Sequence, residues 1–338
     1  VGLTPRCQIV ADGSDITALI AKRLLRLTVT DHAGIQSDSV EIRLDDEEHA
    51  LALPRTGARL TVSMGYQETG LSLMGEYVVD EITLSGPPNT LTLRGKAADM
   101  HKALKVPKTR TWQQAGKPVR RILLDHILTT IADEHQLTAK LGKDLTAIDY
   151  EVVHQSNESD LQLLTRLGRK LGAIAKPVGE HLLLVKRGES KTASGRRLPA
   201  ITLSKPDLTN WEVSLTERDG YQSVVARYRD VAEAKEHTVT AGEGEPVYTL
   251  RTLYKDEADA KQAAEAQRRQ FATGKARLDI ELPGRADILA ETPLVLSGIR
   301  EGVNGEWIVE TATHMLSEEG YVLRISGKRK INELAVMK

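Results

Sequence analysis

The densest run of hard-metal ligands in the chain is Asp45-Asp46-Glu47-Glu48-His49. Consecutive carboxylates point in different directions and cannot converge on one ion, and the run lacks the alternate spacing, central Gly and terminal Glu of a calcium loop. It reads as a solvated acidic turn. His126 and His135 stand nine residues apart, about two and a half helical turns, too far to share a metal. Asp125 beside His126 makes no acid–base pair on a helix, where neighbours diverge by roughly 100°. These three read as surface polar residues. Ser194-Gly195 lacks the strand-to-helix setting of a nucleophile elbow. Gly168-Arg169-Lys170-Leu171-Gly172 belongs to a helix and its end, not to a phosphate loop between strand and helix. Cys7, within Arg6-Cys7-Gln8-Ile9-Val10, reads as a strand residue rather than a catalytic thiol. The run from Lys105 to Trp112, with Arg120 and Arg121 after it, is locally basic and carries one aromatic, the composition of a phosphate contact; the plainer reading is a solvated connector between domains. No catalytic, cofactor-binding or metal-binding residue is expected.

Composition narrows the remaining classes. The 338 residues carry 46 Lys plus Arg against 47 Asp plus Glu, a net charge of -1 that offers no global field for DNA or an anionic membrane. One cysteine cannot form an internal disulfide and fits a reducing compartment. No run approaches the roughly 18 apolar residues of a membrane span, and no signal-peptide core opens the chain, so synthesis in the cytoplasm without a signal is expected. Aromatics are only 4% of residues, so the core must come from Leu, Val, Ile and Ala, and base- or sugar-stacking surfaces are disfavoured.

The elements fall into three stretches. Residues 1–96 alternate as short strands, among them Leu25, Leu27 and Val29, then Val40, Ile42 and Leu44, then Leu60 and Val62, with turns at His32-Ala33-Gly34, Gly65–Gly70 and Ser85–Asn89. Residues 97–204 change period. Pro118 opens a predicted helix over about 118–135 with Val119, Ile122, Leu123, Ile127 and Ile131 on one face. Asn157 or Ser159 caps a second, about 159–172, whose Leu161, Leu164, Leu167 and Leu171 precede a closing Gly172. A hairpin over about 173–187 and a polar linker from Gly188 to Arg197 complete an α+β insert. Residues 205–338 return to strands, interrupted by a helix at about 256–273 that Gly274 closes, with Ala258, Ala263, Ala264 and Ala266 small enough to pack on a sheet.

Within the two strand-rich stretches one unit recurs. Gly75-Glu76-Tyr77-Val78-Val79-Asp80-Glu81-Ile82-Thr83 returns as Gly305-Glu306-Trp307-Ile308-Val309-Glu310-Thr311-Ala312-Thr313, and its flanks return too: Leu60–Ser63 as Leu294–Ser297, and Leu91–Lys96 as Leu323–Lys328. The offsets of 230, 234 and 232 differ as turn lengths would. The fold class expected is mainly β, α+β overall: a β-unit used twice, separated by the insert.

Three segments carry a family likeness. Gln155–Leu161 followed by Leu164-Thr165-Arg166-Leu167 and Gly172, the helix ending at Phe271 followed by Leu282–Asp287 and Leu294–Gly298, and Gly305–Val309 with Thr313-His314 and Gly320-Tyr321 resemble the phage late control gene D proteins. These are baseplate hubs of contractile tails and R-type pyocins, similar to the hub portion of type VI secretion spikes. Gly95–Met100 through Trp112 fits that family's first domain junction. The resemblance implies two small tail-tube-like β-barrels per chain and a homotrimer acting as symmetry adapter between a six-fold tail tube and a three-fold central spike. It also implies a non-enzymatic virion or pyocin component whose partners include the spike, the tube or its terminal protein, and possible tape-measure and baseplate wedge contacts. No small-molecule substrate, cofactor or specific nucleic acid is expected, and His314 is carried over with a structural role. Some related hubs carry fused lytic domains, for which the residues up to Lys338 leave no room. A nucleic-acid-binding late-gene regulator and a cell-wall-degrading tail enzyme are the alternatives, and neutral net charge and the lack of a convincing carboxylate pair speak against them.

Overall fold

The computed structural model describes residues 2–33, 37–49, 51–97, 102–113, 121–178, 181–186, 199–215, 221–230, 235–273 and 276–329. In chain order the first stretch supplies β1 (Pro5–Ala11), β2 (Ser14–Asp15), a short helix α1 (Thr17–Ile20), β3 (Leu24–His32), β4 (Ser39–Asp45), β5 (Arg59–Tyr66), β6 (Gly70–Ser85) and β7 (Thr90–Ala97). The middle supplies β8 (Pro107–Trp112), β9 (Ile122–Leu123), α2 (Leu124–Glu134), β10 (Thr138–Leu141), β11 (Asp149–Tyr150), β12 (Val153–Ser159), α3 (Asp160–Leu171), β13 (Ala173–Val178) and β14 (His181–Lys186). The last stretch supplies β15 (Ile201–Ser204), β16 (Asn210–Leu215), β17 (Ser223–Asp230), β18 (Lys235–Gly242), β19 (Val247–Tyr254), α4 (Glu257–Thr273), β20 (Ala276–Pro283), β21 (Pro293–Ser297), β22 (Gly305–Ser317) and β23 (Gly320–Arg329). The architecture is mainly β with several antiparallel sheets.

The chain divides into two compact units. The first gathers Val1–Met100, Pro199–Val213 and Leu278–Lys328. Its sheet has 13 strands in the order β16-β20-β23-β22-β3-β4-β7-β6-β5-β1-β2, with β21 on β22 and β15 parallel to β21. The two β-units read from the sequence therefore join edge to edge: β22 pairs antiparallel with β3 from Thr311↔His32 to Ser317↔Arg26. Alternation puts one face of each strand inward. Ile9, Leu27, Val29, Val40, Ile42, Leu60, Val62, Tyr77, Val79 and Leu93, drawn from β1, β3, β4, β5, β6 and β7, form one buried cluster. Strands from far apart in the sheet order share that core only because the sheet curls around it. Leu316 and Tyr321 of the second half pack into the same cluster, so the core continues across the β22–β3 joint.

The second unit gathers His101–Leu198, Ser214–Arg277 and Arg329–Lys338. Residues 205–338 are thus shared between the units, with β17, β18, β19 and α4 in the second. There β17 is the centre of a three-stranded sheet. Ala260 and Ala264 of α4 are fully buried against Val224, Ala226 and Ala241, because a methyl group lets a helix approach a sheet closely; Ala258 lies outside that face and is exposed. Elsewhere in the unit, α2 and α3 share a core with β13 and β14. Ser159 caps α3 through a capping box with Gln162, and Gly172 ends it in the left-handed region at φ 65°. Helix α2 begins at Leu124, six residues after Pro118, because Ile122 and Leu123 pair with Tyr150 and Asp149 as β9. Pro118, the linker from Gly188 to Arg197, and Gly274 lie outside the described residues.

Candidate functional site

The repeated strand unit is reproduced in three dimensions. In the first copy Leu60 opposes Tyr77, Thr61 opposes Glu76 and Val62 opposes Gly75. In the second, Leu294 opposes Trp307, Val295 opposes Glu306 and Leu296 opposes Gly305. Beyond that ladder Val79 N–H donates to Ala58 C=O at 2.9 Å, and Val79 C=O accepts from Gly57 N–H at 2.7 Å. Val309 N–H donates to Thr292 C=O at 3.1 Å, and Val309 C=O accepts from Glu291 N–H at 2.9 Å. The corner residues Gly57 and Glu291 both adopt positive φ, 87° and 63°. Gly75, inside β6 at a register shift against β5, and Gly305, the first residue of β22, have φ 155° and 131°, and the buried aromatic two residues on turns its polar atom back to an upstream carbonyl: Tyr77 Oη to Met74 at 3.3 Å, Trp307 Nε1 to Val303 at 2.9 Å. Gly95 and Gly327 correspond as well, each lying where a Cβ would come within 3.0 and 2.8 Å of the carbonyl oxygen of Val78 and of Ile308. Lys96 reaches Asp80 at 3.5 Å as Lys328 reaches Glu310 at 2.7 Å.

The joint between the copies has its own contacts. Asp31 accepts Ala290 N–H at 2.8 Å, Tyr66 Oη donates to Gly284 C=O at 2.9 Å, and the Tyr66 and Tyr321 rings lie 5.5 Å apart. His314, on β22, is completely buried. The Ile288 carbonyl, 3.1 Å from Nε2, can only accept, so Nε2 carries the proton and Nδ1 accepts from Tyr321 Oη at 2.8 Å. Burial pushes its pKa down to about 4, outweighing the carbonyl bond and the charges of Asp31 and Asp287. A neutral, doubly bonded imidazole has no lone pair left for catalysis, and its part is to tie the strand to its neighbours.

The second unit contains the densest polar cluster. Asp160, at the first turn of α3, is fully buried; Lys108 Nζ approaches at 2.6 Å, Arg110 at 2.7 Å, His135 Nε2 at 2.9 Å and Gln155 Nε2 at 2.8 Å. Burial alone would raise its pKa, but the hydrogen bonds from His135, Lys108 and Gln155 and the charge of Arg110 outweigh it and hold the carboxyl at about 2. Gln155 Oε1 accepts from Arg110 Nε and Trp112 Nε1, and the Arg110 guanidinium lies 4.0 Å above the Trp112 ring. Glu134 receives both Lys108 and Arg110. Glu134, His135 and Asp160 could converge on an ion by distance, but two side-chain cations already occupy their carboxylates. The cluster is chemically satisfied.

Several sequence readings are corrected by these positions. Most of the Lys105–Trp112 run is no solvated connector: Pro107–Trp112 is strand β8, paired with β12, and Lys108 and Arg110 on it are engaged by Asp160 and Glu134. His135 is no surface residue, its side chain being 7% exposed, whereas Asp125 and His126 are exposed on α2. In the acidic run, Asp46 is buried and accepts Leu51 N–H at 3.1 Å, and Asp45 accepts Glu47 N–H at 3.0 Å; the turn needs these carboxylates to satisfy its backbone. Cys7 lies on β1, half-buried. Sequence reasoning overlooked Asp160 altogether. The available signal was its spacing: Asp160, Leu164, Leu167 and Leu171 share one helical face, so a carboxylate stood on an apolar stripe.

The strand unit is thus carried twice within one curled sheet. Residues 37–320 match the model of the phage tail baseplate hub (GPD) family, and the chain belongs to that family, a structural component of contractile phage tails. It is 29% identical over 375 residues to the "Probable baseplate hub protein" of Escherichia phage 186, covering 98% of this chain and 95% of the relative. Its counterpart in Escherichia phage P2 is equally similar. Among solved structures, the 43 kDa tail protein of prophage MuSo2 from Shewanella oneidensis superposes with a TM-score of 0.67 at 14% identity, over 96% of this chain and 97% of that one. The E. coli c3393 protein, described as a type VI secretion component with structural similarity to T4 tail proteins gp27 and gp5, superposes with a TM-score of 0.52 at 10% identity, over 92% and 74%.

Proposed function

We propose that the protein is a homotrimeric, non-enzymatic baseplate hub that adapts a six-fold tail tube to a three-fold central spike. The observation that carries this reading is that one chain holds the same strand unit twice, in the same register and in one continuous sheet. Three such chains present six equivalent units to the tube while keeping three-fold symmetry toward the spike. Each half of the curled sheet serves as a tail-tube-like barrel, residues 1–96 forming the first and 205–338 carrying the second. Residues 97–204 are the insert. The likeness to the c3393 protein supports a spike as partner, and the tape-measure and wedge proteins are the further neighbours such a position brings. Saturation of Asp160 and His314 by hydrogen bonds supports a role without catalysis. Light scattering on the purified chain, alone and with the spike of the same tail, tests the proposal. A mass of three chains is expected in at least one condition, and a monomer in both overturns it.

A further inference from the structure

The two strand units match in backbone but differ in how their outer faces handle charge. In the second unit Arg324 of β23 reaches Glu281 of β20 at 2.6 Å. Arg324 is the repeat counterpart of Thr92. Glu281 is that of Arg43, because Val40 lies against Gly95 as Leu278 lies against Gly327, and Arg43 and Glu281 each follow three residues later. Where the second unit sets an acid against a base, the first therefore sets Arg43 against Thr92. On its other side Arg43 opposes Arg26 of β3, and Arg26 opposes Ser317 of β22. Their chain neighbours Leu27 and Ile42 point into the core, so two guanidiniums stand side by side on the sheet's outer face, both exposed.

Nothing in the fold compensates the pair. Like charges directly opposite one another in a sheet are destabilising. The acids that share Arg43's face of β4 are engaged elsewhere, Glu41 with Arg94 at 2.8 Å and Asp45 with the Glu47 N–H at 3.0 Å. Among the described residues no carboxylate pairs with Arg26 or Arg43. Arg23, on the same strand as Arg26's approach, is turned to the Asp45 and Glu47 carbonyls, each at 3.4 Å. A bulge in β3 between Leu24 and Arg26 leaves Leu25 38% exposed next to Arg26, and bulges commonly re-aim side chains at functional positions.

We infer that Arg26 and Arg43 form a docking site for carboxylates of an acidic segment in a neighbouring tail protein. A guanidinium fork takes a carboxylate or a phosphate in two parallel hydrogen bonds, and the surroundings select the carboxylate. The adjoining row across the same strands is Glu41, Arg94 and Glu81, two acids to one base. That row repels the evenly spaced phosphates of a nucleic acid, which also needs a longer run of cations to gain affinity, but it leaves room for a short acidic stretch. Exposed Leu25 offers that stretch an apolar contact beside the charges. Both arginines belong to one chain, so the site is complete in any oligomeric state and goes beyond the trimeric adapter.

Fluorescence anisotropy of a labelled hexaglutamate peptide with the full chain tests it. At low ionic strength the parent should bind the peptide at least about tenfold more tightly than Arg26→Ser, Arg43→Ser, through the loss of two charge-assisted contacts, and added salt should remove the difference. Arg324→Ser, which opens the Glu281 pair of the second unit instead, should keep the parent's advantage over the double variant. Equal binding by the parent and the double variant overturns the site, as does tighter binding of labelled hexathymidylate than of hexaglutamate. Arg43→Glu separates docking from folding. It sets an acid opposite Arg26, so its urea midpoint should rise above the parent's while peptide binding falls to the level of the double variant. A lowered midpoint or retained peptide binding counts against the assignment.

Discussion

Replacing Asp160 by Asn removes the buried charge on which Lys108, Arg110 and His135 converge, while keeping the size of the side chain. Two cations then lose their main partner and fall back on Glu134, whose side chain is 34% exposed. Breaking a buried pair from one side costs about 3 kcal/mol or more; because Lys108 and Arg110 remain 31% and 25% exposed and can rehydrate, about 3 kcal/mol is the better figure. The carboxyl's own linkage gives a second handle. Its folded pKa of about 2 lies below the ordinary 3.8, so the bonded carboxylate stabilises the fold above pH 3.8, and that contribution disappears as pH falls through 2. After screening at the partly exposed cations, the shift amounts to roughly 1–2 kcal/mol. Urea unfolding of parent and Asp160→Asn at pH 7 and at pH 2.5 is the assay. The stability gap should be near 3 kcal/mol at pH 7 and should narrow by about 1 kcal/mol at the lower pH. A gap below about 0.5 kcal/mol at pH 7, in the range of an ordinary surface substitution, or one that does not change with pH, refutes the view that the cluster is held together by a buried ionised Asp160.

Three other outcomes are expected. Gly327→Ala should destabilise by about 1–3 kcal/mol, read as a lowered melting temperature, because its Cβ would stand 2.8 Å from the Ile308 carbonyl oxygen. Stability should decline as pH falls from about 6.5 toward 4, since the unfolded chain binds a proton that buried His314 refuses until about 4, a loss of up to about 3 kcal/mol; in His314→Gln the slope across that window should flatten. Ser159→Ala should cost about 1 kcal/mol by removing one half of the α3 capping box, measurable as a shift in the denaturant midpoint.

How far the molecule could be read from its residues depended on the distance over which the signal acts. The repeat at Gly75 and Gly305 was legible because a strand's face alternates locally and its turn chemistry is local too; the flanking matches at Leu60 and Leu294 even have the same cross-strand partners as the structure. The capping signals at Ser159 and Gly172 act within a few residues and coincide with the ends of α3. The joint between β22 and β3 was not legible, because nothing local to Thr311 names His32, 279 residues away, as its opposite. The charge cluster failed for the same reason. Lys108 looked like part of a basic run until Asp160, 52 residues on, took it up, and His135 looked superficial until α3 was laid beside it. The onset of α2 was misjudged because Ile122 fits a helical stripe and a two-residue strand equally well, and the pairing with Tyr150 decides between them.

The β22–β3 joint has a kinetic consequence. Because both strands belong to one polypeptide, that joint forms as a unimolecular event at an effective concentration set by the tether rather than by the number of molecules in the cell. A ring of chains carrying the unit once would have to make every joint by collision and give up translational and rotational freedom each time. In the ring proposed for this chain, which carries the unit twice, the joints within each chain would already be in place when it finishes folding, and only those between chains would depend on how many copies are present.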